Sequence, residues 1–209
     1  MKKPIIKIVD EIDIITSLKD DYVSNVKVYN EENINKKTIT KESILFDSCE
    51  INKIDFTIYD IKKLEFLDCK IFNCDFSNLE FEKLIFKRCE FVNCKMVGSS
   101  FTELTFSDIL FENCVFQYSN FANVKLKDIK FIRCDFLDCR LFDAKVNNVQ
   151  VDNCDFSKSQ FYENDFTGID FSNSNIDNIT TDLKSIKKIT VNQDQAISLV
   201  TLLDVTVKI

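Results

Sequence analysis

Nine cysteines and no histidine limit the chemistry that this sequence could perform. Thiolates bind zinc where four ligands converge, form disulfides where two Cβ atoms lie about 3.8 Å apart, and act as nucleophiles in exposed, electropositive niches. The segment FKRCEFVNCKMVGSSF, residues 86 to 101, shows the setting of two of them. Cys89 lies two residues before Phe91, and Cys94 lies two residues before Met96. The elements that position these thiols decide which chemistry applies.

The cysteines belong to a repeat of five residues. From Phe46 to Ile176, every fifth residue is apolar, which gives 27 consecutive positions in one register. Of the 20 phenylalanines, 18 lie in this register, and Phe72 and Phe142 are the exceptions. All nine cysteines lie two residues before a register position, namely Cys49, Cys69, Cys74, Cys89, Cys94, Cys114, Cys134, Cys139 and Cys154.

A period of five predicts short strands joined by corners, because a helix repeats every 3.6 residues and a plain strand every 2. Residues i and i+2 share one face of a strand, so the two apolar positions of each repeat fit a short strand. The remaining three-residue step must then turn. Asn and Asp crowd that step, for example at Asn73, Asn93 and Asn113. They tolerate left-handed backbone in place of glycine, of which the chain has 2.

The cysteine spacing predicts four sides to each coil. Two columns are spaced by 20 residues, Cys74–Cys94–Cys114–Cys134–Cys154 and Cys49–Cys69–Cys89. A 20-residue coil places each residue about 4.8 Å from its counterpart one coil later, the distance between paired strands. The repeats then build roughly seven coils and a column about 30 Å long. We number the sides by their core residues: side 1 passes through Phe46, side 2 through Ile51, side 3 through Phe56 and side 4 through Ile61.

The repeat resembles that of the pentapeptide-repeat proteins, A/C-D/N-L/F-x-x. The matching segments include CDFSN (74–78), CEFVN (89–93), CDFLD (134–138) and CDFSK (154–158). The resemblance extends from residue 44 to about residue 190. It implies an all-β fold, a right-handed quadrilateral parallel β-helix in which the central residue and the residue two before it point inward.

Both ends depart from this register. We expect residues 1–43 to form an N-terminal cap and a degraded first coil, residues 44–190 the β-helix, and residues 191–209 a capping and dimerisation segment. Asn192 followed by Gln195 predicts a capping box that begins a short α-helix. The apolar face of this helix, the candidate cap and dimer contact, comprises Ala196, Leu199, Val200 and Leu203.

The C-terminal segment resembles that of the quinolone-resistance proteins of the Qnr and MfpA type. In those proteins it caps the column and forms the dimer interface, so the resemblance implies a homodimer. Asp204 stands where that segment usually has glycine, and an aspartate is less favourable than glycine in a left-handed helix end. A cap on a monomer is the alternative.

In such a column the cysteines are expected to fill the core as small hydrophobic side chains. Stacked parallel side chains do not converge on a metal, and parallel Cβ atoms about 4.8 Å apart exceed the usual disulfide separation. The sequence also lacks a glycine-rich phosphate loop and a pair of carboxylates that the repeat does not explain. We therefore expect no enzymatic activity, no metal and no cofactor.

The charges are distributed unevenly. With a net charge of −7, direct binding to nucleic acid or to an anionic membrane is not expected. Sides 3 and 4 carry the candidate acidic partner face, Asp55, Asp75, Asp135, Asp138, Asp155, Asp60, Glu80 and Glu82. Side 1 carries a basic group, Lys87, Arg88, Lys125, Lys127 and Lys145.

One apolar group points outward. Phe72, Val92 and Ile132 share an outward column, and Leu110 lies beside it. Contiguous exposed apolar surface usually marks a contact. Either a partner binds these four residues or the isoleucine-rich N-terminus folds over them.

Two functions fit these features. The resemblance to the Qnr and MfpA group implies a DNA-mimicking protector of DNA gyrase or topoisomerase IV that confers fluoroquinolone resistance. The alternative is a structural or protein-interaction scaffold without a topoisomerase role, because the repeat itself is structural. The start of the chain fails as a signal peptide, no run of 18 apolar residues occurs, and the cysteine count is odd, so we expect a reducing cytoplasm.

Overall fold

The strands wind into a parallel β-solenoid. The computed structural model describes residues 1–30, 39–82, 85–202 and 205–208. In its central coils each residue pairs with the residue 20 positions later, as in Phe91↔Phe111 and Phe111↔Phe131. The predicted four-sided parallel β-helix with a short C-terminal helix is confirmed.

Sides 1 and 2 form one 11-stranded sheet. Its strands are β1 (Asp10–Asp13), β2 (Tyr22–Ser24), β3 (Val26–Tyr29), β5 (Ile44–Asp47), β6 (Glu50–Asn52), β8 (Leu64–Leu67), β9 (Lys70–Phe72), β11 (Ile85–Val92), β13 (Thr105–Glu112), β15 (Lys125–Ile132) and β17 (Lys145–Asp152). In this sheet β11, β13, β15 and β17 have eight residues each and continue across the corner between the two sides. The order along side 2 is β1-β3-β6-β9-β11-β13-β15-β17.

Side 4 carries shorter strands, and side 3 carries isolated bridges. The two-stranded sheet of side 4 contains β4 (Thr40–Lys41) and β7 (Asp60–Ile61), and its six-stranded sheet contains β10 (Glu80–Glu82), β12 (Ser100–Thr102), β14 (Asn120–Ala122), β16 (Arg140–Phe142), β18 (Gln160–Tyr162) and β19 (Thr180–Thr181). On side 3 a column of single parallel bridges runs from Asp55 to Asn175. One turn of 3-10 helix, Phe56–Ile58, lies at the N-terminal end of this column.

The corners use left-handed backbone at non-glycine residues, as the Asn and Asp pattern predicts. Asn73, Asn93 and Asn113 have φ angles of 54°, 55° and 51°. They also form a ladder in which the side-chain amide of Asn93 donates to Asn73 at 3.3 Å and that of Asn113 donates to Asn93 at 3.1 Å. Each corner amide therefore stabilises the stacking of one coil on the next.

Stacked phenylalanine rings fill the column. On side 3 the rings of Phe116, Phe136 and Phe156 are parallel, with 4.7 Å between successive centroids. Rings on adjacent sides meet edge to face, as for Phe111 and Phe116 at 5.2 Å. Such pairs each add about 0.5–1.5 kcal/mol beyond their buried area.

The aromatic stack has a gap in the coil of residues 141 to 151. Leu141, Val146 and Val151 occupy core positions that hold phenylalanine in most other coils. An apolar cavity of about 30 Å³ lies beside them, lined also by Phe131 and Phe166. The smaller side chains leave this space because the backbone of each coil is held in register by its neighbours.

At the N-terminal end the coils begin before the sequence register shows them. Val23 pairs with Phe46 and Val28 with Ile51, so β2 and β3 already occupy sides 1 and 2. Because these partners are 23 residues apart rather than 20, the five-residue periodicity of the sequence does not reveal this coil. A short helix α1 (Ile14–Ser17), capped by the Asp13 carboxylate on the Thr16 N–H, precedes it.

The C-terminal helix α2 (Gln193–Thr201) covers the other end. The predicted capping box is confirmed: Asn192 accepts from the Gln195 N–H at 3.0 Å, and the Gln195 side chain accepts from the Asn192 N–H at 2.8 Å. The Gln195 side-chain amide also donates to the carbonyls of Phe171 and Ser174, which ties the helix to the last coils. Neither helix of the described residues has the length and apolarity to cross a membrane.

Candidate interaction surfaces

The cysteine position is a hydrogen-bonding position as well as a packing position. The thiol of Cys114 donates to the Phe91 carbonyl at 3.4 Å, and that of Cys139 donates to the Phe116 carbonyl at 2.8 Å. Ser119, which occupies the same position of another repeat, donates to the Met96 carbonyl at 2.6 Å. Sequence analysis missed this role, although the mixture of Cys and Ser at one repeat position signals a small donor.

All nine cysteines are buried and free. Burial raises the pKa of Cys139 to about 12. Burial likewise raises the pKa of Cys114, in the side 3 column, well above its usual value. The described residues contain no group of three or more His, Cys, Asp or Glu that could hold a metal ion.

The aspartates of side 3 form turns in addition to carrying charge. Each accepts the N–H two residues ahead through Oδ1, at 3.0 Å for Asp55 and 2.9 Å for Asp75, Asp135 and Asp155. Asn175 makes the same bond, at 2.8 Å, without a charge. Asp and Asn favour such turns, so local structure alone accounts for much of this acidic column.

The acidic face is discontinuous along the column. Lys95 and Val115 lie in register between Asp75 and Asp135. Asp135 also accepts from the Gln117 side-chain amide at 2.6 Å. The carboxylates of Asp138, Asp60 and Glu80 belong to exposed residues, whereas the side chain of Glu82 lies outside the described part of the structure.

The basic group lies on the opposite side of the column. Lys125 and Lys145 are register partners in adjacent strands, and Lys127 and Asn147 pair beside them. Arg88 differs from these lysines, because its guanidinium forms two hydrogen bonds with the Asp68 carboxylate. The ion pairs found among the described residues include none with Lys87, Lys125, Lys127 or Lys145. Side 1 also carries acidic residues that balance this basic group, namely Asp47, Glu65, Asp68, Asp108 and Asp128.

The apolar group Phe72, Val92, Leu110 and Ile132 does not form a continuous exposed patch. All four residues are half-buried. Glu112 lies in register between Val92 and Ile132, and its carboxylate is ion-paired with Arg133. A charged pair therefore divides the column that the sequence suggested was apolar.

A different apolar pair is exposed on side 4. Phe142 and Tyr162 are register partners on β16 and β18, with 51% and 38% of their surfaces exposed. The acidic residues Asp143 and Glu163 follow them directly. Phe142 is one of two phenylalanines outside the repeat register, and this exception was the sequence signal for an outward aromatic.

The predicted cap and dimer residues at the C-terminus differ in burial. Leu199 is buried against the end of the column, and Ala196 and Val200 are half-buried. Leu203 lies outside the described residues. The exposed apolar side chains of this segment are instead Leu202, Val205 and Val207.

The repeat matches known family models over more than half of the chain. A model described as "Pentapeptide repeat region" matches residues 65–135, and one described as "Pentapeptide repeats (8 copies)" matches residues 119–157 and 139–178. No curated protein matches the sequence closely enough to count as a relative.

Several solved structures resemble the chain at low identity. A trypsin-treated form of QnrB1, a plasmid-mediated fluoroquinolone resistance protein, is 17% identical with a TM-score of 0.40, covering 90% of this chain and 97% of that one. Rfr23 from the cyanobacterium Cyanothece 51142 is 11% identical with a TM-score of 0.33, covering 59% and 91%.

HetL, involved in heterocyst differentiation regulation in the cyanobacterium Nostoc sp. strain PCC 7120, is 8% identical with a TM-score of 0.30, covering 90% of this chain and 89% of that one. Identities and TM-scores this low do not relate the function of the chain to theirs. The five-residue register, the four-sided parallel column and the two family models together show that the chain belongs to the pentapeptide-repeat proteins.

Proposed function

We propose that this protein is a non-enzymatic interaction column that binds a basic protein surface through sides 3 and 4, with DNA gyrase or topoisomerase IV as the partner. The observation that carries the proposal is the exposed pair Phe142 and Tyr162 on side 4, next to the acidic residues Asp143 and Glu163. Exposed aromatics surrounded by charge are typical of the energetic centre of an interface.

The charge distribution orients such a complex. Sides 3 and 4 carry an excess of acidic residues, whereas on side 1 lysines such as Lys125 and Lys127 are balanced by aspartates such as Asp108. A basic groove attracts sides 3 and 4 more strongly than side 1, so the column approaches with sides 3 and 4 forward.

The acidic face has a lower density of negative charge than duplex DNA. DNA carries one charge per about 1.7 Å of axis, or about three per rise of 4.8 Å, the spacing of adjacent coils. Around Asp135 the two acidic sides present Asp135, Asp138 and Asp143 together with Arg140. Affinity for a DNA-binding groove must therefore come in large part from the aromatic pair.

A scaffold without a topoisomerase role is the second candidate. The turn-forming bonds of Asp55, Asp75, Asp135 and Asp155 favour it, because these residues have a structural reason to be acidic. In that case the exposed aromatic pair binds some other protein, and the acidic residues mainly set solubility.

A supercoiling assay tests the proposal. Purified protein is titrated into DNA gyrase, and separately into topoisomerase IV, with ciprofloxacin present. We expect the protein to restore activity, and the double variant Phe142→Ala, Tyr162→Ala to lose this effect. Tyr22→Ala is the control, since Tyr22 is an equally exposed aromatic in the first coil.

Each outcome separates the two candidates. If the wild-type protein restores neither enzyme, the topoisomerase proposal is overturned and the scaffold remains. If it restores activity and the double variant does so equally well, the partner is supported but the aromatic site is not.

We also propose that the C-terminus forms a homodimer. Leu202 is exposed at a groove of about 340 Å³ between α2 and the last coil, which is also lined by Ile176, Ile197 and Leu199. Sedimentation velocity should give twice the chain mass of 24.4 kDa for the wild type and the monomer mass for Leu202→Asp. A wild-type monomer at micromolar concentration would contradict the dimer.

A further inference from the structure

The first nine residues form an extended arm along the outside of the column. The arm starts from the first coil, where the Val9 N–H donates to the Asn25 carbonyl at 2.8 Å. It then follows the corner between sides 1 and 2, where Asp68, Arg88 and Asp108 lie one above another at 20-residue spacing. No strand or helix is assigned to residues 1–9.

Main-chain N–H groups attach the arm to two carboxylates of this corner. The Ile5 N–H donates to Asp68 Oδ1 at 3.2 Å, and the Lys2 N–H donates to Asp108 Oδ1 at 2.5 Å. These aspartates are 6% and 8% exposed, which is unusual for surface carboxylates of a solenoid. Arg88 lies between them and holds Asp68 in place through two hydrogen bonds.

The spacing of the two carboxylates matches an extended peptide. Three residues of extended chain span about 10 Å. Two coils, the separation of Asp68 and Asp108, span about 9.6 Å. Every third N–H of an extended segment therefore meets every second corner residue. Pro4, which has no N–H to donate, falls between the two donors.

The arm's side chains contribute little to this attachment. Ile5 and Val9 are 75% and 70% exposed, and Lys2, Lys3 and Lys7 also point to solvent. Recognition through the main chain accepts different side chains, as when a peptide adds a strand to a sheet edge. The lysines add favourable charge opposite the two aspartates.

We propose that the Asp68–Arg88–Asp108 corner is a binding site for an extended, lysine-containing peptide segment of a partner protein, and that the arm occupies it in cis. A tethered segment competes at an effective concentration of about millimolar. The intact chain therefore binds such a segment weakly, and releasing the arm opens the site. This proposal does not depend on the partner of sides 3 and 4.

The test uses the full-length chain and a synthetic peptide. The variant Ile5→Pro removes one donor of the arm without shortening the chain. A fluorescein-labelled peptide of residues 1–10 is titrated against this variant and against the wild type by fluorescence anisotropy. We expect the variant to bind at least about tenfold more tightly, since the loss of one charge-assisted hydrogen bond weakens the competing arm by that order.

Matched controls identify the contact. A peptide methylated at the Ile5 nitrogen should bind about tenfold more weakly, whereas one methylated at the Ile6 nitrogen should bind normally. In the Ile5→Pro background, Asp108→Gly should weaken binding about tenfold and Asp128→Gly should not. Asp108 and Asp128 have φ angles of 59° and 55° in the same corner column, so glycine relieves the same strain at both.

Hydrogen exchange of the wild-type protein gives an independent measurement. The Ile5 N–H should exchange at least about tenfold more slowly than the Ile6 N–H, because only the former is hydrogen-bonded to a carboxylate. Equal exchange rates, or no peptide binding to Ile5→Pro at millimolar peptide, would overturn the proposal. Equal weakening by Asp108→Gly and Asp128→Gly would also contradict it.

Discussion

At the scale of single residues, the fold depends on small side chains that both pack and donate. Cys114 and Ser119 occupy the same repeat position, and each donates to a carbonyl of the previous coil. A buried carbonyl without a partner costs free energy, so the position favours Cys and Ser over residues of similar size without a donor. The thiols thus have a structural role as small hydrogen-bond donors.

The first prediction concerns this position. Cys114→Ser should change the free energy of unfolding by less than about 1 kcal/mol, because the hydroxyl replaces the donor. Cys114→Leu should destabilise by about 1–3 kcal/mol through overpacking between Phe111 and Phe116. Urea denaturation measures both. Leu104, which natively fills the equivalent position of side 1, shows that the repeat tolerates leucine elsewhere. A greater loss for serine than for leucine would refute the donor role.

The second prediction concerns Asp182, which holds the last irregular coil. Its carboxylate accepts from the Glu163 and Ser185 N–H groups, both at 2.7 Å. Burial opposes ionisation of Asp182, but these two hydrogen bonds outweigh it and lower the pKa. A lowered pKa in the folded state stabilises the protein above the unfolded-state pKa of about 3.9, and the contribution is lost as pH falls through the folded-state value.

Asp182→Asn should therefore destabilise the protein by about 1 kcal/mol at pH 7, since the amide can accept only one of the two bonds. The difference from the wild type should shrink below about pH 3.9. Urea titrations across this pH range measure it. Asp177→Asn, at an exposed position, should have little effect at any pH. A pH-independent difference would show that the carboxylate charge is not involved.

At the scale of elements, each strand is too short to be stable alone and depends on the coils above and below. The core positions of β11, β13 and β15 stack Phe91, Phe111 and Phe131, with centroids 5.1 Å and 5.2 Å apart. The stack ends at Val151 on β17, where the apolar cavity begins. Packing quality therefore varies along the column although the backbone repeat does not.

The third prediction is that filling this cavity stabilises the column. Val151→Ile adds one methylene group to a space of about 30 Å³. The free energy of unfolding should rise by about 0.8 kcal/mol. Thermal and urea denaturation provide the measurement. Val28→Ile is the control, because Val28 is fully buried and does not line the cavity, so the same methylene should be neutral or destabilising.

At the scale of the whole molecule, negative charge is concentrated on side 3, whereas the basic and acidic residues of the opposite side 1 balance. Lys125, Lys127 and Lys145 lie on side 1, and Asp135 and Asp155 lie in register on side 3. This arrangement favours one orientation at a charged partner surface and adds little to the stability of the fold.

The fourth prediction tests the proposed partner through this asymmetry. Lys95→Glu removes the positive charge from the acidic column and should increase gyrase protection about two- to fivefold at low salt, as expected for one exposed charge. The same substitution at Lys127, on side 1, should leave protection unchanged. Dose–response curves in the supercoiling assay with ciprofloxacin give the comparison. Equal responses would count against an acidic binding face.

The sequence by itself determined the architecture, because the repeat records it at every step. The apolar register from Phe46 to Ile176 predicts which side chains point inward, and the 20-residue cysteine spacing predicts four sides. Coil stacking is a nearest-neighbour interaction between similar segments, so local sequence is sufficient to predict it. The capping box at Asn192 and Gln195 was likewise predictable from the sequence, since its two hydrogen bonds lie within one helical turn.

Tertiary structure alone decided the features that depend on neighbours distant in sequence. The ion pair between Glu112 and Arg133 and the docking of the arm on Asp68 and Asp108 both depend on contacts between coils. The first coil at Val23 was hidden because its spacing of 23 residues breaks the period. A repeat predicts what recurs, whereas binding surfaces arise where the outward residues differ from one coil to the next.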